Sequence, residues 1–181
     1  MPDLKKITPT KLLWIDLEMT GLDTDRHRIV EVAAIVTDFD FREYAQLETV
    51  VHQPEEVLEL SDPVAFKMHT DNGLYEKVRA SQISEAQAEA ALRKLIEDNI
   101  PLDSVFLAGN SIRADWTFLH AQWPRIAEIL HYRMLDVSSF KLWWLGKGKP
   151  EYKKQESHRA LDDIRESIAE LQHYLKSLNI D

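Results

Sequence analysis

The stretch WIDLEMTGLDTDRHRIVE, residues 14–31, decides how the rest of the chain is read. Its first half continues an alternation that runs over residues 11–19, as expected of a β-strand. Successive side chains of a strand point to opposite faces, so Leu12, Trp14, Asp16 and Glu18 share one face and Leu13, Ile15, Leu17 and Met19 the other. The strand is otherwise strongly apolar and reads as buried, yet it carries two carboxylates on one side. Like charges held a few ångströms apart in a poorly solvated place raise each other's pKa or recruit a cation. An all-oxygen ligand set suits Mg²⁺ or Mn²⁺. Taken alone, Asp-x-Glu also fits an edge strand whose polar face meets water.

Outward from this strand, TGLDTDRHR (20–28) is a turn, IVEVAAIVTDF (29–39) a second strand and YAQLETVVHQ (44–53) a third. The three predict an antiparallel meander. Ser84 and Gln87 form a capping box ahead of a helix over 85–98, and Pro101 stops it. SVFLAGN (104–110) is a short strand and RADWTFLHAQ (113–122) a helix, and Pro124 opens another helix over 124–130. YRMLDVSSF (132–140) is a strand running into a helix, the Gly/Pro/Lys-rich segment 146–157 a loop, and residues 158–178 a final helix. Strands first, then strands mixed with helices, predict an α/β fold built on a mixed β-sheet flanked by helices. The length predicts one domain over 1–181, with 1–10 as a flexible N-terminal segment.

The bulk properties narrow the function. With no cysteine, disulfides and thiolate metal sites are excluded. No apolar run is long enough to span a membrane and MPDLKKITPT lacks the features of a signal peptide, so a cytoplasmic protein is expected. A net charge of −9 excludes the broad basic surface that holds long nucleic acid by counterion release. A nucleic-acid ligand would be gripped at a few phosphates, or through metal ions. On charge alone, added solubility is the simpler reading.

Further along the chain, other acids join the first pair. Asp115 lies in the opening turns of the helix after GN, with Trp116, Phe118 and Leu119 packing that helix on the sheet; alone, it is as well explained by the helix macrodipole. In the last helix Leu161, Ile164, Ile168, Leu171 and Leu175 form an apolar stripe. At about 100° per residue, Asp163 sits at the border of that stripe and Asp162 turns toward solvent. His158 stands five residues before Asp163, where an imidazole reaches a water held between acids; alone it reads as a surface histidine at a helix start. Together, Asp16, Glu18, Asp115 and Asp163 suffice to hold two divalent ions about 4 Å apart, a pair that activates a water and stabilises both oxygens of a phosphoryl displacement. His158 has a pKa near working pH and suits the removal of a proton from that water.

The segments WIDLEMTGLD, GNSIRAD, HYRMLDVSS and SHRALDDIRESIAEL closely resemble the oligoribonuclease family, within the DEDDh 3′-to-5′ exonucleases of ribonuclease H-like fold. The likeness runs over about residues 11–175. It implies that Asp16, Glu18, Asp115 and Asp163 bind two Mg²⁺ or Mn²⁺ ions and that His158 is the general base. It implies hydrolysis of very short RNA oligonucleotides, dinucleotides above all, to nucleoside 5′-monophosphates. By the same resemblance Leu22 wedges between the bases, and His69 and Ser111 contact substrate. It implies a homodimer with a shared site, Tyr132 and Arg133 reaching into the partner's site and Arg133 and Ser138 holding the terminal phosphate. The enzymatic alternative is a general DNA-proofreading or RNA-trimming exonuclease on the same fold; the non-enzymatic one is a silent binding module, which needs a missing ligand where none is missing. The chain departs from the family at Val64, where a Trp is usual, and Phe66 is the nearby ring. Trp143 and Trp144 read as core residues, with a dimer interface as the alternative. Lys147, Lys149, Lys153 and Lys154 form either a phosphate-steering loop or a solvated one. Glu31 faces the site or pairs within the sheet, and Asp136 caps a helix.

Overall fold

The computed structural model describes residues 8–153 and 160–178. Most of the expected N-terminal segment, Lys154 and His158 lie outside the described residues. Three antiparallel strands open the fold: β1 (Leu12–Met19), β2 (Ile29–Thr37) and β3 (Glu43–Val50). β4 (Val105–Gly109) then runs parallel to β1, and β5 (Leu130–Asp136) parallel to β4, giving a mixed sheet in the order β3-β2-β1-β4-β5. The expected α/β class and the meander both hold.

Both faces of the sheet are covered, which explains why β1 is apolar on both. Leu13, Ile15 and Leu17 pack with Leu92 and Ile96 of α4 (Glu85–Asn99) and Phe118 and Leu119 of α5 (Arg113–Gln122). Leu12 and Trp14 meet Ile164, Ile168 and Leu171 of α8 (Ala160–Ser177) on the other face. The buried Trp14 indole donates to Thr37 Oγ1 at 2.9 Å, so its one polar atom is satisfied. The Ser84–Gln87 capping box is present and starts α4.

Four elements differ from the sequence expectation. Residues between β3 and α4 form three short helices: α1 (Glu55–Glu59), α2 (Pro63–Asp71) and α3 (Leu74–Ala80). Proline and Asp62 start the second, whose Asp62 carboxylate accepts from Val64 N–H, and Gly73 in the left-handed region starts the third. α6 is only Pro124–Ala127, shorter than the helix expected to residue 130, because Leu130 is drawn into the ladder with Val105. In α7 (Val137–Gly146) Trp144 enters the core and Trp143 is half exposed. Adjacent helical positions point about 100° apart, so one paired tryptophan can be core payload while the other is not.

Candidate active site

β1 carries Asp16 and Glu18 to its C-terminal end, beyond the point where Trp14 is sealed. On α8 the buried stripe of Ile164, Ile168 and Leu171 fixes the helix rotation against the sheet. That rotation turns Asp163 toward β1, and an oxygen each from Asp16, Glu18 and Asp163 lie within 4.8 Å of one another. Asp162 instead faces Arg165 at 3.9 Å, as the helical angle predicts. Asp115 reaches the same end of the sheet from the first turn of α5 and is buried. Its Oδ1 accepts from Leu17 N–H at 2.8 Å, so the backbone between Asp16 and Glu18 holds it. It stands beside the tight trio rather than within it.

These carboxylates cannot all carry charge unaided. Burial pushes the Asp16 carboxyl well up, and Asp115, Glu18, Asp163 and Glu31 add to the effect. Glu18 is pushed up to about 7, by burial first and then by Glu31, Asp163 and Asp115. Asp115 is pushed up to about 7 by burial, with a smaller contribution from Asp136, against the opposing Leu17 N–H bond. Glu31 lies directly across the ladder from Glu18, so it faces the site. The donor set is oxygen-only and clustered, which fits a hard divalent ion.

His69 lies immediately behind Glu18. Its ring is closed to solvent, Nε2 is 3.0 Å from the Met19 carbonyl and 3.7 Å from Glu18 Oε2, and Tyr75 packs beside it. Burial lowers its pKa. Since a carbonyl only accepts, Nε2 carries a proton. Among the described residues the buried Nδ1 has no hydrogen-bond partner.

Leu22 is 78% exposed at the tip of the turn after β1, above a groove lined by Glu18, Met19, Val64 and Met68. The turn is braced: Asp23 N–H donates to His27 Nδ1 at 3.0 Å, and Gln122 from α5 donates to the His27 carbonyl at 2.7 Å. A Cβ on Gly21 would sit 2.4 Å from the His27 ring, so the turn requires glycine there. Val64 is exposed on the groove wall, while Phe66 packs edge-on against Tyr75. Tyr132 and Arg133 stand exposed on edge strand β5, the guanidinium 5.1 Å over the phenol ring, and belong to no part of the acid cluster. Ser111 follows β4 and Ser138 opens α7, and both are hydrogen-bonded to Asp136. One contribution was left open by the sequence reading and one escaped it. Glu31 joins the cluster through ladder register, and Asp136 ties Ser111 to Ser138 in addition to capping its helix.

Comparison with known proteins accords with this geometry. The RNase_T model, described as an exonuclease, matches residues 13–171. Oligoribonuclease of Francisella tularensis subsp. tularensis (strain WY96-3418) is 47% identical over 171 residues, covering 92% of this chain and 95% of that protein. Oligoribonuclease of Pseudomonas aeruginosa (strain UCBPP-PA14) is 46% identical over 170 residues, covering 92% and 94%. Among solved structures, exonuclease I from Methylocaldum szegediense superposes with a TM-score of 0.68 at 20% identity over 93% of this chain. E. coli exonuclease I in complex with a dA16 oligonucleotide gives 0.66 at 17% identity over 93%. The chain spans only 40% and 41% of those longer proteins, so they speak to the fold alone.

Proposed function

The chain belongs to the oligoribonuclease family of exonucleases, and from that footing we propose that it hydrolyses very short RNA, dinucleotides above all, from the 3′ end to nucleoside 5′-monophosphates. The observation that carries the reading is the convergence of Asp16, Glu18 and Asp163, with Asp115 behind them, on one end of the sheet. These four would hold two Mg²⁺ or Mn²⁺ ions, which when bound neutralise the acids, lower the pKa of a water and stabilise the attacking and leaving oxygens. His158 removes a proton from the attacking water. His69 stands behind Glu18 with its Nε2 proton committed to the Met19 carbonyl, and the substrate contact assigned to it would be made from there.

Leu22 presents an apolar surface that stacks on any base, as sequence-tolerant binding requires. Arg133 supplies a bidentate fork for the terminal phosphate, joined by Ser138, and Ser111 beside it contacts the substrate. A site closed by a phosphate cap restricts length without reading sequence. It also suits a protein of net charge −9, which has few places to grip phosphate. No helix among the described residues is long and apolar enough to cross a membrane, and the proposed location is the cytoplasm.

A labelled dinucleotide tests the reading. Nucleoside 5′-monophosphates should accumulate with Mg²⁺ or Mn²⁺ and not with chelator; nucleoside 3′-phosphates, or hydrolysis indifferent to chelator, would contradict it. Gly21→Ala should raise the dinucleotide KM about tenfold with a smaller effect on kcat, because the displaced His27 ring lets the Leu22 turn drift from its stacking position. Unchanged KM would count against Leu22 as the wedge. Tyr132 and Arg133 act in the partner's site under this proposal. Mixing inactive Glu18→Ala and Arg133→Ala chains should then restore part of the activity in heterodimers, and no restoration would argue against shared sites.

A further inference from the structure

We propose that Asp136 is the positioning residue of the phosphate cap, a strut that sets the spacing between Ser111 and Ser138 and so the preference for a phosphorylated end. This rests on the substrate reading above. A single carboxylate oxygen, Asp136 Oδ1, accepts from Ser111 N–H at 2.9 Å, Ser138 N–H at 2.9 Å and the Ser138 hydroxyl at 2.7 Å. An ordinary N-cap side chain bonds only the first turn of its own helix. Asp136 does that for α7, and it also crosses the sheet to the loop after β4. The crossing is possible because the parallel ladder aligns Gly109 with Asp136, which lays residue 111 beside the start of α7.

Ser111 shows what the strut holds. It has φ of 57°, in the left-handed region that a non-glycine residue leaves unless it is held. Its N–H bond to Asp136 fixes the peptide in that orientation, its carbonyl accepts from Ala114 N–H at 3.2 Å, and the residue is exposed to solvent. Two chain segments distant in sequence thus share one acceptor atom, and their separation cannot drift while it remains. The Ser138 hydroxyl has one proton, donated to Asp136 in the free protein. A terminal phosphate oxygen accepts that hydrogen bond after rotation about the Cβ–Oγ bond, the proton staying on the serine, while the two backbone N–H bonds keep the strut in place. With Oδ1 engaged by three donors, Asp136 is suited to support rather than to ligation.

The test compares kcat/KM for a 5′-phosphorylated and a 5′-hydroxyl dinucleotide in wild type, Asp136→Asn, Asp136→Ser and Asp136→Ala, with thermal unfolding of each. Serine caps its own helix but is too short to reach Ser111 N–H, so Asp136→Ser separates bridging from capping and guards against loss of fold in Asp136→Ala. Asp136→Ser should keep a near-native Tm and lose about tenfold of the phosphate preference, through KM rather than kcat. Asp136→Asn retains a carbonyl acceptor and should stay within about threefold of wild type. A preference undiminished in Asp136→Ser, or lost equally in Asp136→Asn, overturns the strut. A wild type that treats the two substrates alike overturns the substrate reading first, and the strut with it.

Discussion

Glu18→Gln is expected to abolish hydrolysis, by at least about a thousandfold, while making the metal-free protein more stable. The two effects have one cause. Glu18 shares its site with Asp16 and Asp163, faces Glu31 across the ladder and is pushed up to about 7. A carboxyl whose folded pKa is raised binds more protons folded than unfolded, so its favourable contribution is present at low pH. That contribution is lost as pH rises from about 4.5 through about 7. Above that window the ionised Glu18 costs on the order of 3 kcal/mol in the absence of cations. At pH 8 with chelator, Glu18→Gln should therefore unfold about 5 °C or more above wild type, and at pH 5 the gap should nearly close. Mg²⁺ or Mn²⁺ should raise the wild-type Tm at pH 8 and raise that of Glu18→Gln much less. Thermal unfolding at the two pH values, with and without the ion, measures all of this. A variant less stable than wild type at pH 8 in chelator would show that the cluster is not electrostatically strained.

His158→Ala is the second large effect. A positioned base that takes a proton in the transition state is worth about a hundredfold to ten-thousandfold in rate. The Kd for a dinucleotide, measured with a non-hydrolysable analogue, should move by less than about threefold, since the proposed phosphate and base contacts lie elsewhere. Turnover and binding lost in equal measure would make His158 a binding residue. The contrast matters because His158 lies outside the described residues, so its role rests on its spacing from Asp163 and on the family likeness.

The acid trio was legible because simple periodicities govern it. Period two put Asp16 and Glu18 on one face, and about 100° per residue separated the inward Asp163 from the outward Asp162. The meander was legible for the same reason. Glu31 was ambiguous because a single acid in an apolar strand can pair within the sheet or face a site, and only the antiparallel register with Glu18 decides. Asp136 read correctly as a cap, but its bridge to Ser111 needs the β4–β5 register, which no local pattern encodes. The helices between residues 55 and 80 are short and begin at Pro54, Asp62 and Gly73; none is long enough to display an apolar stripe. Val64 is the clearest departure from the resemblance; it forms an exposed aliphatic wall beside Leu22 and Met68, where under the proposed function base contacts would lack a ring.

Under the proposed function this exonuclease has a preference for the shortest RNAs. That preference is tested most directly by a time course on 5′-labelled RNAs of two to ten nucleotides, with Mg²⁺ and Mn²⁺ in parallel and metal-free controls. Dinucleotides should disappear fastest by a wide margin, and nothing should be hydrolysed without a divalent ion. Long strands degraded as fast as dinucleotides would contradict that preference and identify a general single-strand exonuclease on the same fold.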